Sequence, residues 1–103
     1  PIALLEPKVP VVVIAPRDSL YEKTLSNIQE AKARHAPIIA VGFDDDERLA
    51  QEANYALSVP WTLEEFSPFV MVVPLQLFAY HMAKKRGCEI DTPRNLAKSV
   101  TVE

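Results

Sequence analysis

Glycine is scarce. There are two in 103 residues, Gly42 and Gly87, far apart in the chain. No G-x-G-x-x-G and no P-loop can be written with them, so the usual backbone cradle for a dinucleotide or a triphosphate is absent. Cysteine is scarcer still: Cys88 stands alone, which excludes an intramolecular disulfide framework and fits a reducing cytoplasm. Positive charge is not in excess either. Eleven Lys and Arg against 14 Asp and Glu give a formal net charge of −3 and a pI of about 5.4, no support for a nucleic-acid partner. The sequence opens on Pro1, with no initiator Met and no signal-peptide pattern, as expected of a piece of a longer polypeptide or a processed product. Repeats and low-complexity tracts are absent.

What is present is the mix of a soluble globular chain: 49% hydrophobic and 24% charged residues, enough for one small domain. Pro1–Pro7 reads as the end of a helix. Val9–Ala15 (VPVVVIA) and Ile38–Phe43 (IIAVGF) are continuous, β-branched apolar runs, the pattern of strands buried on both faces of a parallel sheet. Tyr55–Pro60 (YALSVP) is a third, shorter strand. Between the first two, Ser19-Leu20-Tyr21-Glu22 fits a capping box, and Tyr21, Leu25 and Ile28 share one face of a helix to about Arg34. Asp44–Asn54 predicts a short helix capped by one of its aspartates. Thr62-Leu63-Glu64-Glu65 is a second possible capping box. It opens a long apolar helix from Leu63 to Arg86, stopped by Gly87 and kinked or split at Pro74. Ser67, Pro68, Pro74, Gln76 and His81 interrupt its apolar run, so a buried core helix is favoured over a membrane span. Strands alternating with helices imply a three-layer α/β fold with a parallel sheet, too small to be robust without a further strand.

Chemistry is harder to place. Asp44-Asp45-Asp46-Glu47 follows a strand directly, where carboxylates can hold Mg²⁺, but a solvated helix start is the plainer reading. His35 reads as a surface turn residue and His81 as a partly buried packing residue, and neither has a partner at metal-ligand spacing. Cys88 has no readable histidine partner, and Trp61 and Tyr55 read as core or rim aromatics. No metal and no cofactor is expected. Lys98, on composition alone, is a lysine in a solvated tail. Composition and spacing stop at a soluble cytoplasmic α/β domain.

Three stretches carry a resemblance. The ending Pro93-Arg94-Asn95-Leu96-Ala97-Lys98-Ser99-Val100-Thr101-Val102-Glu103 resembles the C-terminal signature of the glucosamine-6-phosphate synthase family, the isomerising glutamine–fructose-6-phosphate amidotransferases. Val73-Pro74-Leu75-Gln76-Leu77 followed by Ala79-Tyr80-His81 resembles that family's VPLQLLAYH helix, and Pro1-Ile2-Ala3-Leu4-Leu5 resembles its GPLALI segment. The resemblance covers essentially the whole chain but only the last part of the family's architecture, a glutaminase domain followed by two sugar isomerase (SIS) domains. It implies that residues 1–90 are part of a SIS domain, flavodoxin-like or Rossmann-like and incomplete without upstream residues, and that 91–103 are a C-terminal active-site tail.

By the same resemblance the parent protein converts fructose 6-phosphate and glutamine to glucosamine 6-phosphate in hexosamine synthesis. Lys98 is then the catalytic amine that forms an imine with the open-chain ketose, the Ala97 backbone lies against the sugar, and Arg94 places the tail. The family's ring-opening histidine, isomerisation base, phosphate loop and glutaminase cysteine have no counterpart in this sequence. The chain alone is therefore expected to be inactive, and its tail, Arg94–Glu103, to be mobile. Fructose 6-phosphate and glucosamine 6-phosphate are the expected small-molecule partners. The parent is expected to be a cytoplasmic homo-oligomer held through SIS domains, with no nucleic-acid or membrane partner. The competing reading is a SIS-type sugar-phosphate-binding regulatory module without turnover, and a third is a non-catalytic scaffold that only dimerises.

Overall fold

A computed structural model describes residues 2–92. Strands β1 (Val11–Ile14), β2 (Ile38–Phe43) and β3 (Tyr55–Val59) form one sheet in the order β1-β2-β3. Both pairings are parallel, with Val11 opposite Ile38 and Ala40 opposite Ala56. Parallel neighbours need crossovers, and helices α1 (Tyr21–Lys32) and α2 (Glu47–Glu52) supply them. Asn54 fixes the start of the second crossover's return. Its Oδ1 accepts the Ile38 N–H at 2.7 Å, and its own N–H donates to the Ile38 carbonyl at 2.9 Å.

Two apolar layers sandwich the sheet. On one face, Ala15, Ile38 and Ala40 pack with Leu25, Ile28 and Ala31 of α1 and Leu49 of α2. On the other, Val41, Phe43 and Val59 pack with Met71 of a long helix, α3 (Ser67–Lys85). The three layers expected from the alternating pattern are therefore present. Burial on both faces holds only for β2. Val12 and Ile14 of β1 are 42% and 47% exposed, and Tyr55 of β3 is 68% exposed. For β1 the reason is coverage: α3 lies over β2 and β3 and leaves the β1 side of that face bare.

Several local expectations are corrected. Where the end of a helix is expected over Pro1–Pro7, the described residues hold a single 3-10 turn, Ile2–Leu4. Ser19 caps nothing. Asp18 starts α1 instead, its Oδ1 accepting the Leu20 N–H at 2.8 Å and its carbonyl accepting the Tyr21 N–H at 3.2 Å. Glu22 cannot reach back to complete a capping box because Arg48 holds it, at 2.7 Å and 3.1 Å. Nor does Thr62 cap the long helix. A 3-10 turn, Glu64–Phe66, leads into α3, with Pro68 in the first turn, where no N–H is needed. Pro74 does not split α3, which runs unbroken through it. The expected buried core helix is buried only along one line: Ser67 and Met71 are its buried residues. Of the acidic run, Asp46 is indeed the cap of α2.

Both long helices end in the same hydrogen-bond pattern. The Ala36 N–H donates to the Ala31 carbonyl and the His35 N–H to the Lys32 carbonyl, as the Cys88 N–H does to Ala83 and the Gly87 N–H to Lys84. This Schellman arrangement needs a left-handed residue, which glycine adopts without strain. Gly87 has φ +68°, but the equivalent residue of α1 is His35, at φ +61°. The two positions should respond in opposite senses. His35→Gly should stabilise the fold and Gly87→Ala should destabilise it, each by about 1 kcal/mol. Denaturant midpoints of the two variants check both signs.

Candidate functional site

Ligands of open α/β sheets sit at the carboxyl ends of the strands. Here those ends are the Pro16-Arg17 turn after β1, the Asp44-Asp45-Asp46 run after β2, and Trp61 after β3. The first two converge. Arg17 grips Asp45 with two nitrogens, at 3.0 Å and 2.9 Å, and its Nε lies 3.7 Å from Asp46 Oδ2. Asp46 is buried. Its Oδ1 accepts the Tyr21 hydroxyl at 2.7 Å and the Leu49 N–H at 3.0 Å, while Oδ2 accepts no hydrogen bond. Arg48 stacks over the Tyr21 ring at 5.8 Å and is tied to Glu22. Arg17, Tyr21, Asp45, Asp46 and Arg48 line an open groove of about 470 Å³.

The electrostatics follow from these contacts. Burial pushes the Tyr21 phenol up to about 12, and donation to Asp46 and the charge of that carboxylate add to the rise. The hydrogen bond to Asp45 raises the Arg17 guanidinium. Hydrogen bonding to Arg48 lowers the Glu22 carboxyl. Arg17, Glu22, Asp45, Asp46 and Arg48 are thus each committed to a neighbour. The groove holds a packed ion-pair network.

The metal reading of Asp44–Glu47 finds no support: among the described residues no three His, Cys, Asp or Glu side chains converge as ligands would. Asp46 is a helix cap and Asp45 an arginine partner. His35 is the exposed turn residue expected of it. His81 is exposed, not partly buried, and its ring meets Tyr80 edge-on at 5.3 Å. Cys88 is exposed. Tyr55 and Trp61, at 68% and 59% exposure, are rim rather than core aromatics. Arg94, Ala97 and Lys98, and with them the expected behaviour of the tail, lie outside the described residues. Sequence reasoning passed over Arg17 and Tyr21. Their signal was positional: an arginine one residue past a strand-ending proline, and a tyrosine one turn on, facing the acidic run.

Comparison with known proteins gives a consistent picture. A family model described as the SIS domain matches residues 1–86. A glutamine–fructose-6-phosphate aminotransferase (isomerizing) of Aquifex aeolicus is 52% identical over all 103 residues, and that of Gloeobacter violaceus 56%. The chain spans 17% of the length of each. Among solved structures, the C-terminal domain of glucosamine-fructose-6-phosphate aminotransferase from Francisella tularensis superposes with a TM-score of 0.77 at 32% identity. That likeness covers 89% of this chain and 26% of the other.

The Tyr21–Asp46 contact has a pH signature. A phenol raised in the folded state favours folding below its unfolded value near 10, and that contribution is lost as pH rises through about 12. Absorbance titration at alkaline pH should therefore show one tyrosine ionising near 12. Tyr21→Phe should remove that step.

Proposed function

This chain belongs to the SIS domain family, and from that we propose that it is the closing part of the isomerase half of a glutamine–fructose-6-phosphate aminotransferase. The observation that carries the reading is identity of 52% and 56% to such enzymes over the entire chain, and the ending, Pro93–Glu103, resembles the family's C-terminal signature. That ending also favours a turning-over enzyme above a SIS-type regulator. On this reading residues 1–90 are a SIS scaffold and 91–103 the active-site tail. The reaction takes fructose 6-phosphate and glutamine to glucosamine 6-phosphate and glutamate, and the protein works in the cytoplasm as a homo-oligomer held through its SIS domains.

Lys98 is the group assigned to the chemistry. A neutral amine adds to the C2 carbonyl of the open-chain ketose, and the carbinolamine takes up one proton and loses water to leave an iminium. The iminium draws electrons from the neighbouring carbon and acidifies its C–H bond, which lets a base move the proton and shift the carbonyl character along the chain. A lysine does this only if its pocket lowers its pKa, by desolvation or a nearby cation. Ala97 lies with its backbone against the sugar and Arg94 places the tail. The described sheet and helices then act as the frame from which the tail departs after α3. The base and the ring-opening group lie outside this sequence, so the chain alone turns over no fructose 6-phosphate.

The test is Lys98→Arg in the full-length protein. Arginine stays charged and forms no imine. Glucosamine 6-phosphate formation should fall by about a hundredfold or more, equivalent to about 2.7 kcal/mol of barrier, while glutamine hydrolysis persists. Borohydride with fructose 6-phosphate should label Lys98 in the parent and no lysine in the variant. Near-normal synthesis by the variant, or label on another lysine, removes the assignment.

A further inference from the structure

Helix α3 ends on a single left-handed residue, and the chain that leaves it carries Lys98. Gly87 stands at φ +68°, and two hydrogen bonds close the turn around it. The Gly87 N–H donates to the Lys84 carbonyl at 3.1 Å, and the Cys88 N–H donates to the Ala83 carbonyl at 2.9 Å. A right-handed residue here would lengthen the helix and carry the chain on along its axis, by about 1.5 Å per residue. The left-handed residue sends it back across the last turn instead. Among the described residues, a Cβ on Gly87 would meet no atom within 4 Å, so crowding does not call for glycine there. The backbone torsion does.

The end of α1 provides the contrast. His35 makes the same turn there, at φ +61°. A strained residue persists where its surroundings over-determine it, and here the sheet does so. The Val11 N–H donates to the Pro37 carbonyl at 2.8 Å and the Ile38 N–H to Asn54 Oδ1 at 2.7 Å. Ile38 then enters the ladder opposite Val11, so the path beyond His35 is held from both sides. No strand follows Gly87 among the described residues, and the exit direction is set at the turn itself. Lys98 lies eleven residues further on, and a chain of that length extends to at most about 40 Å. A change of direction at the root of such a segment displaces its far end by many ångströms. An amine attacks a carbonyl from about 3–3.5 Å, and misplacement by about 1 Å can cost a hundredfold.

We propose that Gly87 is a positioning residue for Lys98: its left-handed backbone sets the line along which the chain leaves α3 and so brings the lysine to the sugar. The proposal rests on the role given to Lys98 in the proposed function. Three variants of the full-length protein test it, Gly87→Val, Gly87→Asn and His35→Val. Each is read by kcat for glucosamine 6-phosphate formation, kcat for glutamine hydrolysis, and borohydride labelling of Lys98 with fructose 6-phosphate. A β-branched residue resists the left-handed region, whereas asparagine enters it readily. Gly87→Val should lower kcat for synthesis about tenfold or more, equivalent to 1.4 kcal/mol of barrier, and labelling should fall with it. Hydrolysis per folded enzyme should stay within about twofold, a split that a loss of stability alone does not produce. Gly87→Asn should keep all three readings within about threefold of the wild type. His35→Val carries the same strain where the sheet holds the path, so it should lower the thermal midpoint and leave the ratio of synthesis to hydrolysis unchanged. If Gly87→Val does not fold, Gly87→Ala replaces it, with the same signs expected. An unchanged ratio in that variant, a loss in Gly87→Asn equal to the loss in Gly87→Val, or a selective loss of synthesis in His35→Val each overturns the proposal. Label on another lysine in the wild type overturns the Lys98 assignment, and this proposal with it, before any Gly87 variant is read.

Discussion

The arrangement at the strand ends depends on one buried carboxylate. Asp46 is 6% exposed, and an unpaired charge at that depth would cost several kcal/mol. It is tolerated because three elements converge on it. Tyr21 donates from α1, the Leu49 N–H donates from the first turn of α2, and Arg17 approaches from the turn after β1. The same contacts set where each element begins. Capping by Asp46 fixes the start of α2, and the tyrosine bond holds α1 against it. A second tie, Lys32 to Glu52 at 2.8 Å, closes the far ends of the two helices. Loss of the Asp46 side chain would therefore release α1, α2 and the Arg17 turn together, whereas loss of the exposed Lys32–Glu52 pair would change little.

The central strand was readable because its sequence has one physical solution. IIAVGF has no polar residue to offer solvent on either face, so β2 must be covered twice, and parallel neighbours joined by helices are the economical way to do it. The same reasoning applied to VVVI failed on one point. An apolar run reports which residues tolerate burial and not which neighbours are there to bury them, so Val12 and Ile14 looked like core and stand exposed. Capping failed for a related reason. Ser19 and Glu22 have the right spacing, but the local rule does not see Arg48, 26 residues on, which takes the glutamate. Likewise His35 was legible as a turn residue, but its left-handed backbone was not, because sequence offered a glycine only at the end of α3.

The candidate site divides along the same line. Nothing in the local sequence distinguishes Lys98 from any tail lysine, and only the eleven-residue ending marks it through its resemblance to a family. The Arg17–Asp46–Tyr21 network, conversely, has no motif at all and exists only through the fold. Its carboxylates sit where a metal or substrate group would be sought, yet each is matched to a cation, a hydroxyl or a backbone donor. Position at the strand ends is thus insufficient to make a catalytic centre. Free capacity is also needed, and this network has almost none. Its work is to hold the sheet edge in shape.

Helix α3 shows the opposite economy, with apolar surface in excess of what its own sheet uses. A helix that served only to cover β2 and β3 would need one stripe, and the residues opposite Met71 could be lysine or glutamate at no cost to the fold. Phe69, Val73, Leu77 and Tyr80 stand there instead, and the charges are displaced to the two helix ends, with opposite signs. Exposed aromatic and branched side chains lower solubility and add nothing to the stability of the layer beneath.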